Sequence, residues 1–99
     1  MKVTLTEQAR DNLREIYEYV SGDSVIRAGH LEDKILSSIA KLADFPNIGV
    51  NPKDDNLVEK GYKMLVCGNY LAFYVLLGEV VEVRAIKHGS RLYDNIKGK

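Results

Sequence analysis

Apolar and polar residues change their period along the chain, and those changes lay out its elements. Val3 to Leu5 is a short run of strand-forming residues, and Thr6 follows as an N-cap candidate ahead of a segment rich in helix formers. Ala9, Leu13, Ile16, Tyr17 and Val20 then recur at helical spacing, while Arg10, Asp11, Arg14, Glu15 and Glu18 cover the opposite face. Ser21-Gly22-Asp23 ends this predicted helix, and Asp23 or Ser24 can cap a second. In the second, Ala28, Leu31, Ile35, Ile39 and Leu42 repeat with the same period until Asp44-Phe45-Pro46 closes it, with Gly29 weakening its first turns. Two amphipathic helices joined by so short a link form an antiparallel hairpin, whose shared apolar face needs a cover.

The second half supplies that cover. Asn51-Pro52-Lys53-Asp54-Asp55-Asn56 reads as a surface loop, because each residue type favours turns or solvent. From Tyr62 to Cys67 the period becomes two, with Tyr62, Met64 and Val66 on one face and Lys63, Leu65 and Cys67 on the other. Gly68-Asn69 is a two-residue hairpin signal, since glycine at the first position supplies the positive φ of a type II′ turn. Tyr70 to Leu77 is apolar on both faces, as expected of a central strand. Gly78-Glu79 turns the chain again, and Val80 to Lys87 alternates Val81, Val83 and Ala85 against Glu82, Arg84 and Ile86, before a polar tail. The expected fold is α+β with order βααβββ, a helical hairpin packed on a mainly antiparallel four-stranded sheet.

Ninety-nine residues suit one domain, here taken as residues 1–99, and 45% hydrophobic with 28% charged residues is an ordinary globular composition. The lone cysteine, Cys67, cannot form an internal bridge, and the chain opens with no apolar run of signal-peptide length. The longest apolar run, Tyr70 to Leu77, is far short of the ~20 residues of a membrane helix. A cytoplasmic protein without membrane attachment is the expectation.

Fourteen Lys and Arg balance fourteen Asp and Glu, which argues against coating nucleic acid by bulk charge. The balance conceals a gradient. Residues 1–50 carry six cations against eight anions, and residues 51–99 carry eight against six. From Val83 onward Arg84, Lys87, Arg91, Lys97 and Lys99 face only Asp94, a net of +4. Such a local field suits a phosphate-bearing or acidic partner.

Within it, Arg84, Lys87, His88, Arg91 and Tyr93 are the candidate chemistry. Simple alternation places Arg84, Ile86 and His88 on one strand face, and a turn at Gly89-Ser90 can bring Arg91 and Tyr93 alongside. A histidine that exchanges protons near neutral pH, arginines that stabilise charge on phosphorus, and a phenol would suffice for metal-free RNA cleavage by 2′-OH attack. Spacing alone does not lift this cluster above ordinary solvated charges beside a surface histidine. His30 with Asp33 has helical i, i+3 spacing but no third ligand, and no nucleotide-binding glycine motif is present, so neither a metal nor a cofactor is expected.

Several phrases, in this order, resemble the RelE/ParE toxin family of bacterial type II toxin–antitoxin systems. They are the opening strand with ARDNLREIYEYV, then HLEDKILSSIAKLADFPNIG with its Leu-x-x-Phe-Pro-x-x-Gly ending, YKMLVCGNYLAFYVL, and VVEVRAIKHGSRLYDNI with its closing His-Gly-x-Arg. The resemblance implies a helical hairpin on an antiparallel sheet and a growth-arresting toxin neutralised by a small cognate antitoxin, as a homodimer or a toxin–antitoxin heterotetramer. It also implies one of two targets. RelE-like members are metal-independent endoribonucleases that cut mRNA on the ribosome, and the matching positions are Lys63, Arg84, His88, Arg91 and Tyr93, with Lys63, Lys87 and Arg91 as partner contacts. ParE-like members poison DNA gyrase without that catalytic set, and a degenerate member would be a non-toxic, antitoxin-binding module. A neutral chain departs from the strongly cationic character of ribosome binders.

Overall fold

The computed structural model of the chain describes residues 1–89. Strand β1 (Lys2–Leu5) leads into helices α1 (Glu7–Ser21) and α2 (Val25–Ala40), a 3-10 turn (Lys41–Ala43), a short helix α3 (Asp55–Glu59), and strands β2 (Lys63–Cys67), β3 (Tyr70–Leu77) and β4 (Val80–His88). The sheet order is β1-β4-β3-β2, with β1 parallel to β4 and the other pairs antiparallel. The expected α+β fold is therefore present, with one parallel pair in the sheet.

Local chemistry explains the element ends. The Thr6 hydroxyl accepts from the Ala9 N–H at 3.2 Å, and Ser24, not Asp23, caps α2 by accepting from the Arg27 N–H at 3.2 Å. Gly68 takes φ +65° in the two-residue loop that pairs Cys67 with Tyr70, a conformation open to glycine without steric cost. The expected loop over Asn51–Asn56 is corrected at its end. Asp54 Oδ1 accepts from the Asn56 N–H at 2.8 Å and starts α3, because the residue types that favour turns also cap helices. The helical period also breaks one residue after Ala40, yet the 3-10 turn still drives Leu42 into the core.

The core lies between the hairpin and one face of the sheet. Ala9 and Leu13 from α1, Ile35 and Ile39 from α2, and Leu42 meet Cys67, Ala72, Tyr74, Val81, Val83 and Ile86. Burying a side chain of Leu or Ile size stabilises the fold by about 1.5–3 kcal/mol, so these contacts hold the hairpin on the sheet. Ile86 in this list contradicts the alternation expected of β4, which grouped it with Glu82 and Arg84. The cause is a register shift: Phe73 pairs with Ala85 but Tyr74 pairs with Val83, so Arg84 is an extra residue in the strand. After this bulge, Ile86 and His88 lie on the helix side.

One further fastening closes the outer edge of β2. Val50 makes a two-way bridge with Met64, at 2.9 and 2.8 Å. The fully buried Tyr74 donates its hydroxyl to the Pro46 carbonyl at 2.9 Å and accepts from the Gly49 N–H at 3.0 Å. Burial holds the Tyr74 phenol above the ordinary tyrosine range, with the Gly49 bond opposing it.

Candidate functional site

The end of β4 is built by elements far apart in sequence. β1 stops at Leu5, opposite Val83, and beyond that point the edge of β4 would be bare. Three bonds from α1 and its cap replace the missing strand. The Thr6 N–H donates to the Val83 carbonyl at 2.9 Å, the Thr6 hydroxyl donates to the Arg84 carbonyl at 3.2 Å, and Asn12 Oδ1 accepts from the Ile86 N–H at 3.0 Å.

On the sheet face away from the helices, Arg84 is held by two residues, Glu82 and Tyr62. Its Nε donates to Glu82 Oε1 at 2.8 Å, its Nη1 donates to the Tyr62 hydroxyl at 3.2 Å, and its guanidinium carbon stands 5.5 Å from the centre of the Tyr62 ring. The Tyr62 hydrogen bond and then the Glu82 carboxylate raise the Arg84 pKa further, so the group is a permanent cation. The Arg84 and Glu82 side chains are 37% and 29% exposed, and an ion pair so open to water contributes at most ~1 kcal/mol. Its consequence is geometric: it restrains a planar fork on an open face.

The other predicted site residues part company. Lys87 is exposed and pairs with Leu71 on the face that carries Arg84. His88 pairs with Tyr70, their rings edge-on at 5.0 Å, and Tyr70 leans on the helix-side core. Lys63 pairs with Tyr74 and is likewise on the helix side. The expectation that Arg84 and His88 share a face is thus corrected by the bulge: the two project to opposite sides of the sheet. Arg91 and Tyr93 lie outside the described residues. Cys67, opposite Tyr70, is buried, and burial pushes its thiol pKa up against a hydrogen bond with Ser38, which makes it a packing residue and a poor nucleophile.

Among the described residues, no group of three or more His, Cys, Asp or Glu could hold a metal ion, and no helix is long and apolar enough to cross a membrane. The exposed large apolar side chains include Tyr19, Val25 and Ile26 near the hairpin tip and Phe45, Ile48, Val50 and Val66 along or near the outer edge of β2, alongside Met1, Leu36, Val58 and Leu77. Exposed apolar side chains grouped in this way mark surfaces suited to protein partners.

The family model of the ParE toxin of type II toxin–antitoxin systems, parDE, matches residues 3–93. The chain belongs to the ParE toxin family. A solved structure of the chromosomal ParDE toxin–antitoxin system from P. aeruginosa superimposes with a TM-score of 0.74 at 18% identity, covering 89% of this chain and 95% of that one. No curated protein matches the chain in sequence. At that identity the superposition speaks for a shared ParE fold alone.

Sequence reasoning missed the residues that organise this ParE-family sheet. Glu82 stands two residues from Arg84, the spacing of neighbours on one strand face, so the ion pair had a signal. Tyr62 had one too, as an aromatic just ahead of a strand. Asn12 sits three residues after Ala9 and four before Ile16, a polar residue on the apolar stripe of α1, which is the pattern of a side chain serving a buried backbone group.

Proposed function

We propose that this ParE-family chain is a growth-arresting toxin that acts on DNA gyrase and is held inactive by a cognate antitoxin. The observation that carries the choice of target is the β4 bulge. Metal-free RNA cleavage needs a proton-transferring group and a charge-stabilising guanidinium around one phosphate. Here Arg84 faces away from the helices, with part of its donor capacity given to Glu82 and Tyr62, while His88 packs against Tyr70 on the other side. Family membership supports the antitoxin as partner, and the exposed apolar residues at the hairpin tip and the β2 edge suit a protein ligand. The same reading takes residues 1–99 as one toxin domain working in the cytoplasm.

Two assays separate the targets. The purified toxin is expected to inhibit gyrase supercoiling and to leave mRNA on translating ribosomes uncut. Ribosome-dependent cleavage that vanishes in His88→Ala or Arg91→Ala, with supercoiling untouched, would reverse the assignment. Growth on expression without the antitoxin would point instead to a non-toxic binding module. Arg84→Ala should weaken gyrase inhibition by the amount of an interface residue, about 1–3 kcal/mol.

A further inference from the structure

Arg84 is prepared from the far side of its own strand. An inserted residue in a strand is left out of the ladder pairing, and the ladder around it is locally disrupted, so other contacts must hold its backbone. Here α1 and its cap supply them: the Arg84 carbonyl accepts from the Thr6 hydroxyl at 3.2 Å, and the Ile86 N–H is received by Asn12 Oδ1 at 3.0 Å. The bulge is therefore gripped by α1 and its cap at Arg84 itself and two residues later. On the opposite face, the guanidinium carries five N–H donors, of which Nε gives one to Glu82 and Nη1 one to Tyr62. Among the described residues the other three have no protein acceptor, and the side chain is 37% exposed. The group is a half-open fork with its orientation set and its capacity for a carboxylate unspent.

We propose that Asn12 is a positioning residue. By holding the Ile86 N–H it fixes the bulge, and the bulge aims Arg84 at a carboxylate of the partner protein that meets the open face. Thr6 assists, but it also caps α1, so Asn12 is the cleaner handle. A structural role alone would be to satisfy one backbone donor, and its loss would lower global stability without altering Arg84. The two roles differ in what happens on the far face of the sheet.

The test reads the Arg84 Nε–H by nitrogen-15 NMR in the full chain, well below the melting temperature. In the parent protein this proton is held by Glu82 at 2.8 Å, and it is expected to exchange more slowly than that of an unpaired arginine. Asn12→Leu, which removes the acceptor at similar volume, is expected to speed its exchange roughly tenfold as the bulge loosens. Asn12→Asp, which keeps an acceptor oxygen, should restore the slow rate. Should Asn12→Leu fail to fold, Asn12→Ala carries the same expectation. Unchanged Nε–H exchange in a folded Asn12→Leu or Asn12→Ala protein overturns the proposal.

The inference rests on the gyrase reading only for its consequence, and the two can fail separately. Under that reading, Asn12→Leu and Arg84→Ala weaken supercoiling inhibition to a similar extent, and the double variant is no weaker than Arg84→Ala. If Nε–H exchange responds to Asn12→Leu while Arg84→Ala inhibits gyrase as well as the parent, the positioning stands and the target-facing role of Arg84 falls.

Discussion

Replacing Tyr74 by Phe removes one oxygen and tests whether the loop at residues 46–49 is fastened from inside. That hydroxyl makes two bonds, to the Pro46 carbonyl at 2.9 Å and from the Gly49 N–H at 3.0 Å. Losing a partner costs most where the stranded group cannot reach water, about 1–3 kcal/mol for each buried group. Tyr74 is fully buried but the loop is at the surface, so the two stranded groups regain part of their hydration. The expected loss is therefore ~2 kcal/mol, which for a chain of this size lowers the melting temperature by about 10 °C. Gly49→Ala supplies the second edge of a cycle. A Cβ at Gly49 would lie 2.5 Å from the Tyr74 hydroxyl, 2.8 Å from its Cε1 and 3.0 Å from the Met64 carbonyl, so the substitution overpacks and should cost about 3 kcal/mol. In the Phe background the nearest clash disappears and the other two remain. The double variant should then lose less than the sum of the singles, by about 1 kcal/mol. Urea and thermal melts of the four proteins measure this. A Tyr74→Phe protein within 2 °C of the parent, or strict additivity with Gly49→Ala, would refute the clamp.

Three further outcomes are expected. Leu42→Ala empties a fully buried site at the end of the hairpin and should cost about 2–5 kcal/mol by calorimetry, far more than Leu36→Ala on the exposed side of α2. Ser24→Ala removes the α2 cap and should cost ~1 kcal/mol, with Asp largely restoring it; equal stability of all three would show that the hairpin turn does not depend on the cap. Burial raises the Cys67 thiol from 9.0 and the Tyr74 phenol from 10.0, so at alkaline pH the unfolded chain surrenders these protons first. The stability tied to the neutral forms is fully present below about pH 9 and drains as pH climbs through the folded-state values. Denaturant titrations should show a fall that Cys67→Ala and Tyr74→Phe each make shallower, and stability that rises with alkalinity would contradict the assignment.

The hairpin and the central strand were legible because their patterns are redundant. Five apolar positions in the first helix, and five running through the second and the 3-10 turn after it, repeat with one period, and the apolar run of β3 is buried on both faces at its centre, with Phe73 and Val75 at 4% exposure and Ala72 and Tyr74 at 0%. Where a single residue decides, the pattern fails. Alternation in β4 was read correctly from Val81 to Val83 and wrongly at Ile86, because an inserted residue changes parity without leaving a mark in composition. The short helix α3 was hidden for another reason: Asp54 serves equally as a turn residue and as a cap. The candidate site inherited the parity error, which is why Arg84 and His88 looked like neighbours.

That error has a chemical content. A strand of alternating residues offers each face every second side chain, so two groups at even spacing, such as Arg84 and His88, meet one ligand. The insertion of Arg84 itself as an extra residue sends the two to different ligands while leaving every residue type, and even the closing His-Gly-x-Arg phrase, untouched. Keeping that extra residue in place requires a substitute for the strand that ends at Leu5, and Thr6 and Asn12 supply it from the start of α1. The side chain that separates a guanidinium from an imidazole in this ParE-family fold therefore stands 74 positions away in sequence from the amide it binds. It follows that the chemistry open to such a sheet depends on the polar residue facing it from α1 as much as on the cations of β4, and substitutions at Asn12 should alter the face that carries Arg84 without touching a charged residue.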